Sequence, residues 1–303
     1  MARLRLVPAV VAAGFVLASP GAATVAQPNP KPLFPVTVRA ANGPVTLAKR
    51  PVRIVSLSPT ATETLFAVGA GRQVVAVDSL SNYPPRAPRT NLSGFRPNAE
   101  AIASYRPDLV IVAFDAGIVA ELGKLGIPVL VDPDAASLPD AYRQIRQLGH
   151  ASGFPKRAAA LVARMRGQIR AAVESAGRRG RGLSLYHELT TDYFSATSKT
   201  FIGQIYKLFG LRNIADAAGR GTDYPQLSAE YIVASNPRLI FLADSKCCGQ
   251  NRETLARRPG WQSIAAVRQR RVYALDDDIV SRWGPRITGF VRRVADAVRS
   301  TRT

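Results

Sequence analysis

The residue types that most often carry catalysis are few in this sequence. His150 and His187 are the only histidines, and Cys247 and Cys248 are the only cysteines. Two distant histidines do not supply the paired-ligand spacing of a zinc enzyme, and two adjacent cysteines cannot build a four-ligand structural site. No nucleophile elbow, phosphate-binding loop or dinucleotide-binding glycine motif is present. The sequence therefore predicts no catalytic residue, no metal site, no cofactor and no enzymatic activity.

The charge of the chain is strongly basic but dispersed. It carries 41 Lys+Arg against 21 Asp+Glu in 303 residues, a formal net charge of +20, and 34 of the basic residues are arginine. Nucleic-acid binders usually concentrate positive charge on one face and interleave aromatic residues, which here make up only 7%. The pattern argues against nucleic acid as a partner and leaves attraction to an anionic ligand or surface open.

The first residues are typical of a secretory signal. Arg3 and Arg5 precede an apolar run over residues 6–18, and small residues follow up to Ala26. Such a signal leads us to expect a periplasmic or otherwise extracytoplasmic protein. Because no cysteine lies there for lipid attachment, we do not expect a lipoprotein. The domain prediction is a signal peptide over 1–26, an N-terminal extension over 27–50, an N-terminal lobe over 51–150, a linking helix over 151–177 and a C-terminal lobe over 178–303.

Strands and helices alternate through both halves of the mature chain. Short apolar runs such as residues 53–59 and 108–114 read as buried strands, and helical patterns separate them, which predicts parallel sheets. A capping box, Thr60 with Glu63, is predicted to open the first helix. Apolar residues recur at helical spacing from Pro155 to Ala176. The predicted fold is α/β: two Rossmann-like lobes with central parallel sheets, joined by one long rigid helix, with a ligand cleft between them.

The two halves also resemble each other in sequence. Residues 98–113 align with residues 228–243 at an offset of 130, so that Glu100 matches Glu230 and Pro107 matches Pro237. A shared cap, glutamate, proline and strand at one offset favours an internal duplication.

Five segments then support a family resemblance. They are RIVSLSPTATETLFAVGAG (53–71), SNYPPRAP (81–88), NAEAIASYRPDLVI (98–111), RPGWQSIAAVRQRRVYAL (258–275) and SRWGPRI (281–287). In this colinear order they resemble the periplasmic binding proteins of iron-chelate and cobalamin ABC importers, with the cobalamin-binding member the nearest likeness. The resemblance implies a monomeric extracytoplasmic receptor that captures a corrinoid or an iron chelate and delivers it to a dimeric permease with its ATPase subunits.

The resemblance also implies roles for particular residues. Tyr83 matches a tyrosine that lies against the corrin ring, and Phe194 and Tyr224 stand where the family has pocket aromatics. Asp278 and Arg282 match the polar pair that hydrogen-bonds the corrin periphery. The family's other pocket tryptophans have no clean counterpart, because Phe95 and Phe114 lie one residue out of register.

Four further residues have more than one reading. Glu100 and Glu230 follow cap residues at helix starts, where the helix dipole alone favours a carboxylate; in the resembled family such glutamates pair with permease arginines. Cys247 and Cys248 either form a vicinal disulfide, remain free thiols or bridge two chains.

The resemblance leaves three classes of ligand open. They are a corrinoid, a ferric siderophore, which would suit the arginine excess, and a haem, for which His187 and Tyr83 are the candidate axial ligands.

Overall fold

The structure, a computed structural model, describes Met1 and residues 33–219 and 221–301. The predicted signal peptide and the first part of the predicted extension lie outside the described residues. The chain from Leu33 onward forms one compact unit. Within the described part of the chain, no helix combines the length and the apolar character that crossing a bilayer requires.

Ten strands occur in the described residues. In chain order they are β1 Val36–Ala40, β2 Gly43–Leu47, β3 Ile54–Leu57, β4 Val74–Val77, β5 Leu109–Val112, β6 Val129–Val131, β7 Ser184–Glu188, β8 Arg212–Asn213, β9 Leu239–Leu242 and β10 Val272–Ala274.

Thirteen α-helices accompany them in the same part of the chain. They are α1 Pro59–Val68, α2 Ala99–Ala103, α3 Ile118–Lys124, α4 Leu138–Ser152, α5 Pro155–Ala176, α6 Phe201–Lys207, α7 Ala215–Ala218, α8 Ala229–Ser235, α9 Ser245–Cys248, α10 Arg252–Ala256, α11 Ala265–Arg268, α12 Asp277–Val280 and α13 Ile287–Arg299.

Each lobe is built on a four-stranded parallel sheet. The N-terminal sheet has the order β4-β3-β5-β6 and the C-terminal sheet the order β8-β7-β9-β10. Strands β5 and β9 are buried along their whole length, as expected of parallel strands covered by helices on both faces. The α/β fold with two lobes is therefore confirmed.

The two sheets repeat one topology, which supports the internal duplication. Helix α2 begins at Ala99 and helix α8 begins 130 residues later, at Ala229. Each helix leads into the third strand of the sheet in its lobe. The caps are equivalent too, because the side chains of Asn98 and Ser228 each accept a hydrogen bond from a backbone N–H of the first turn. Lobe by lobe, the same strand order places the carboxyl ends of the strands at corresponding edges.

Helix α5 links the lobes. It packs against α4 of the N-terminal lobe and against α13 of the C-terminal lobe. Its apolar stripe, which includes Leu161, Met165 and Ile169, is buried in a hydrophobic cluster that contains core residues of both lobes. The predicted helix over 155–176 matches α5, while residues 151 and 152 belong to the end of α4. A shared core of this kind resists large rotation of one lobe against the other.

The segment before the first lobe forms a β-hairpin, as the alternating residues 36–48 with Asn42-Gly43 at the turn predict. Strands β1 and β2 pair in antiparallel register across the turn at Asn42. The Asn42 side chain donates to the carbonyl of Val129 at 2.9 Å and accepts from the backbone N–H of Val131 at 3.0 Å. These bonds attach the hairpin to the outer edge of β6.

The crossing of α4 and α5 depends on a small residue. A Cβ placed on Gly149 would overlap the Cβ of Ala158, whereas a Cβ on Gly167 of α5 would meet no atom within 4 Å. We expect Gly149→Ala to lower the free energy of unfolding by about 1–3 kcal/mol through overpacking, although alanine favours helix. The control Gly167→Ala should raise it by about 0.5–1 kcal/mol. Chemical denaturation measures both, and a stabilised Gly149→Ala variant would contradict the close crossing.

Candidate ligand-binding cleft

A cleft lies between the carboxyl edges of the two sheets. It contains two adjoining cavities of about 440 and 370 Å³, both lined by Asp134, Ser281 and Trp283. The larger is formed mainly by loops that follow β3, β4 and β5, and the smaller by residues of both lobes, including Leu189 after β7. In parallel α/β sheets this is the edge at which ligands bind.

Three exposed aromatic side chains line this cleft. Five Phe and Tyr side chains are exposed among the described residues: Tyr83, Phe95, Phe114, Phe194 and Tyr224. Phe95 and Phe114, 68% and 41% exposed, line the larger cavity with ring centres 6.1 Å apart. Tyr224, 50% exposed, lines the smaller one from the opposite lobe. Apolar rings left in water on both walls of one cleft form a surface that a flat apolar ligand would cover.

The sequence-predicted aromatics are not all in one place. Tyr224 lies in the cleft, whereas Tyr83 lines a neighbouring cavity, where the Arg286 guanidinium stands 4.2 Å from its ring centre. Phe194 lies in the loop after β7, and its carbonyl accepts the backbone N–H of Leu189 at 2.8 Å. Phe95 and Phe114, which lie one residue out of register with the family's pocket tryptophans, form the clearest pair of aromatic rings in the cleft.

The floor of the cleft is a buried ion cluster that joins the lobes. Glu63 of α1, 3% exposed, accepts two hydrogen bonds from Arg286, at 2.9 and 2.6 Å, and one from Arg282, at 2.9 Å. Both arginines belong to the C-terminal part of the chain. Glu63 is thus not part of a capping box; the side chain of Ser58 caps α1 instead, by accepting from Ala61. The carboxylate is drawn to the guanidinium groups because no other cation would balance its burial.

Arg282 is more a structural junction than a free ligand contact. It is 8% exposed, and both terminal nitrogens donate two bonds each. The acceptors are Glu63, Asn82, the Leu80 carbonyl and Asp278. Three of these four lie in the N-terminal lobe, so Arg282 fastens the two sides of the cleft together.

Asp278 lies at the cleft wall beside Arg282. Its carboxylate accepts from Lys246 Nζ at 2.6 Å, from Arg282 Nη2 at 2.8 Å and from Asn82 Nδ2 at 3.0 Å. Burial by itself would raise the pKa of Asp278, but the bonds from Lys246 and Asn82 and the charge of Arg282 outweigh it and lower that pKa. Asp278 therefore stays ionised and can accept hydrogen bonds from a ligand at neutral pH.

Cys247 and Cys248 are joined in a vicinal disulfide on the exposed turn α9. The carboxylate of Asp277 accepts the backbone N–H groups of Lys246 and Cys247, the latter at 2.9 Å. Since Lys246 also holds Asp278, the disulfide turn is tied directly to the cleft wall.

A second buried ion pair supports the base of that turn. Glu188, at the end of β7, accepts two bonds from Arg258 at 2.6 and 2.7 Å. Asp244, at the end of β9, is also buried, and burial first and the nearby Glu188 second raise its pKa to about 7. Nothing in the spacing along the sequence indicated this cluster, because its members lie on separate strands and loops.

His187 faces the core rather than the cleft. It is fully buried, its Nδ1 lies 2.8 Å from the Tyr206 hydroxyl, and burial lowers its pKa to about 3. It is neutral and has no route to a ligand in the cleft. Across the described residues, no three His, Cys, Asp or Glu side chains are grouped so that they could hold a metal ion.

Glu100 and Glu230 are exposed and occupy equivalent positions on the two lobes. Each lies in the first turn of a helix that runs back against the strands, so each stands towards the carboxyl edge of its sheet. The pKa of Glu230 is lowered by its own backbone N–H and by Ser228.

Carboxylates outnumber cations among the residues that line the cleft, whereas the protein as a whole is basic. The charged residues that line its two cavities are the carboxylates Asp78, Asp134, Asp223 and Asp278 and the cations Lys199 and Arg282. Arg282 is already engaged by Glu63 and Asp278. Most of the arginine excess therefore lies outside the cleft, although the net charge of the chain is +20.

This architecture agrees with comparisons to known proteins. A family model described as periplasmic binding protein matches residues 54–279. The chain belongs to this family. It is a substrate-binding protein of the ABC importers that carry iron chelates and cobalamin, whose members are transport components rather than enzymes.

Three relatives show how the similarity is distributed. An uncharacterized ABC transporter substrate-binding lipoprotein of Bacillus subtilis is 32% identical over 88% of this chain and 86% of its own length. A cobalamin-binding protein of Halobacterium salinarum is 28% identical over 96% and 84%. The solved periplasmic heme-binding protein of Roseiflexus sp. RS-1 is 31% identical, with a TM-score of 0.70, over 82% of this chain and 97% of its own.

The ion cluster on the cleft floor provides a stability test. We expect Glu63→Ala to lower the free energy of unfolding by about 3–5 kcal/mol, because it removes the buried carboxylate that Arg282 and Arg286 share. Arg282 keeps Asp278, but Arg286 has no second salt bridge in the described chain. The control is Asp296→Ala, which breaks the exposed Arg299–Asp296 pair of 2.6 Å and should cost less than about 1 kcal/mol. Urea denaturation of both variants measures the difference, and equal losses would show that the cluster does not hold the lobes.

Proposed function

We propose that this chain captures a corrinoid, cobalamin being the leading candidate, outside the cytoplasm and delivers it to a dimeric ABC permease with its ATPase subunits. The alternative within the same family is a ferric siderophore or a haem. The observation that carries the proposal is the composition of the cleft: exposed aromatic rings on both walls, and carboxylates in excess of free cations.

This composition suits a corrinoid in two ways. A corrin is a large, flat ring system, and Phe95, Phe114 and Tyr224 offer apolar faces on both sides of the cleft. Its periphery carries amide groups, whose N–H groups can donate hydrogen bonds to the carboxylate of Asp278.

The same composition disfavours an anionic siderophore. A ferric siderophore of net negative charge would have to approach four carboxylates, while Arg282 is occupied by Glu63 and Asp278. Like charges at short range in a partly desolvated cleft cost binding energy. The arginine excess that made a siderophore attractive lies elsewhere on the molecule.

Haem has fewer available ligands than the sequence suggested. It needs an axial His or Tyr, and His187 is buried against Tyr206. Of the two candidates that the sequence offered, the exposed Tyr83 remains, and the structure adds the exposed Tyr224 of the cleft. A haem complex is therefore the outcome to be tested against a corrinoid.

Capture would need little movement of the lobes. The shared core around α5 and the cluster at Glu63 hold both walls of the cleft, so that a ligand enters a largely preformed site. Glu100 and Glu230 then serve as docking residues, one on each lobe, which a two-fold permease would meet with arginines.

The ligand is identified by incubating the purified protein with cyanocobalamin, haemin or a ferric siderophore, then desalting and recording the visible spectrum. We expect the corrinoid bands to be retained. Retention of haemin or of the siderophore, with no corrinoid bound, would replace the proposed ligand and leave the family assignment unchanged.

The aromatic walls are tested by substitution. We expect Phe114→Ala and Tyr224→Ala each to weaken cyanocobalamin binding by about 1–3 kcal/mol, the usual cost of removing an aromatic anchor. Tyr83→Ala should have the same effect if the ligand extends to the neighbouring cavity. The control is Leu125→Ala, another exposed apolar residue, which does not line the cleft. Titration calorimetry gives the affinities; unchanged values in all the aromatic variants would place the ligand elsewhere.

Docking is tested separately from binding. We expect the double variant Glu100→Ala with Glu230→Ala to retain its affinity for cyanocobalamin but to lose vitamin uptake in cells, because both contacts to the permease are removed. The matched control is Glu121→Ala with Glu253→Ala, since these glutamates are also exposed in the first turns of helices, one in each lobe. Normal uptake by a folded Glu100/Glu230 variant would refute docking without affecting the proposed ligand.

A further inference from the structure

Another cavity, which adjoins the cavity of Tyr83 and shares Phe66 and Arg86 with it, is lined by arginines. It has a volume of about 740 Å³, and its charged lining residues are Arg50, Arg72, Arg86 and Arg157. We call these four residues with Phe66 and Phe154 the arginine groove. It lies by the amino ends of β3 and β4, and it shares no lining residue with the two cavities of the cleft.

The positive charge of the groove is not balanced by protein carboxylates. No Asp or Glu lines this cavity, and in the described chain none of the four arginines forms a salt bridge to a carboxylate. All four are exposed, so water solvates them in the absence of a ligand. This differs from the cleft floor, where Arg282 and Arg286 are paired with Glu63.

Three of the four arginines lie over aromatic rings of the groove. The guanidinium groups of Arg50 and Arg157 lie 4.4 and 5.1 Å from the ring centre of Phe154, and that of Arg86 lies 5.4 Å from the centre of Phe66. Holding two cations on one ring costs repulsion that an anion between them would relieve.

Local structure explains only part of this arrangement. Arg50 Nε donates to the Ser152 carbonyl at 3.2 Å, at the end of α4, where a cation complements the helix dipole. Arg157 lies over Gly69, which ends α1. Arg72 and Arg86 have no comparable contact with a helix end in the described residues.

We propose that the arginine groove binds a ligand with several phosphate groups. Guanidinium forks match phosphate oxygens in bidentate geometry, and the volume admits more than one such group. The phosphates belong either to a soluble polyphosphate or to the headgroups of an anionic lipid surface. This function is independent of the corrinoid cleft.

The test uses tripolyphosphate and lipid vesicles with the full mature chain. By titration calorimetry, Arg72→Gln with Arg86→Gln should weaken tripolyphosphate binding about tenfold or more, since two charge-assisted contacts are lost. The control, Arg238→Gln with Arg257→Gln, removes the same charge from exposed sites on the other lobe and should change it less than about twofold. Circular dichroism verifies that both variants are folded.

Cosedimentation with phosphatidylcholine vesicles, with and without phosphatidylglycerol, distinguishes the two sources. Binding to the anionic vesicles that the groove variant loses and the control keeps would support the groove and identify lipid as the source. Binding of tripolyphosphate alone would support the groove with a soluble ligand. Absence of binding to both probes, or equal losses in the groove and control variants, would overturn the proposal.

Discussion

The buried pairing of Glu63 with Arg282 and Arg286 is the interaction on which the rest of the structure depends. Removing a carboxylate from water costs several kcal/mol, and only well-placed guanidinium groups recover it. Here the carboxylate belongs to α1 and the guanidinium groups to the segment around α12 and α13. Separating the lobes would leave these charges unpaired in a region of low dielectric constant. The cluster and the continuous core around α5 therefore restrict the lobes to small displacements, and the cleft is formed before a ligand arrives.

The repeated sheet topology places chemistry where the lobes meet. Parallel strands of each lobe end at the cleft, so the loops after β3, β5 and β7 meet there although they are distant in sequence. The repeat is close where a symmetric partner would bind, at Glu100 and Glu230. It is weaker at the walls, where Phe95 and Phe114 face Tyr224. The proposed function accounts for this division, because the proposed permease is two-fold symmetric and the proposed ligand is not.

Sequence patterns predicted what local physics determines. Apolar runs and helical spacing located β3, β5, β9 and α5, and the offset of 130 residues anticipated equivalent caps at Asn98 and Ser228. Interactions between distant residues were not accessible in this way. Glu63 was assigned to a capping box because Thr60 precedes it by three residues, whereas its actual partners lie more than 200 residues away. Phe95 and Phe114 of the cleft were similarly missed, because they lie one residue away from the positions that match the family's pocket tryptophans.

Charge is distributed unevenly between the cleft and the rest of the molecule. A net charge of +20 creates a positive potential around the molecule that attracts anions in general. Carboxylates outnumber cations in the lining of the cleft, and arginines without a salt bridge in the described chain, such as Arg72 and Arg86, lie at another site. Salt screens the long-range attraction within about 8–10 Å, while contacts inside the cleft are screened less. This separation of charge agrees with the proposed ligand, a large, flat molecule with hydrogen-bond donors at its edge, for which the aromatic walls provide the contact surface.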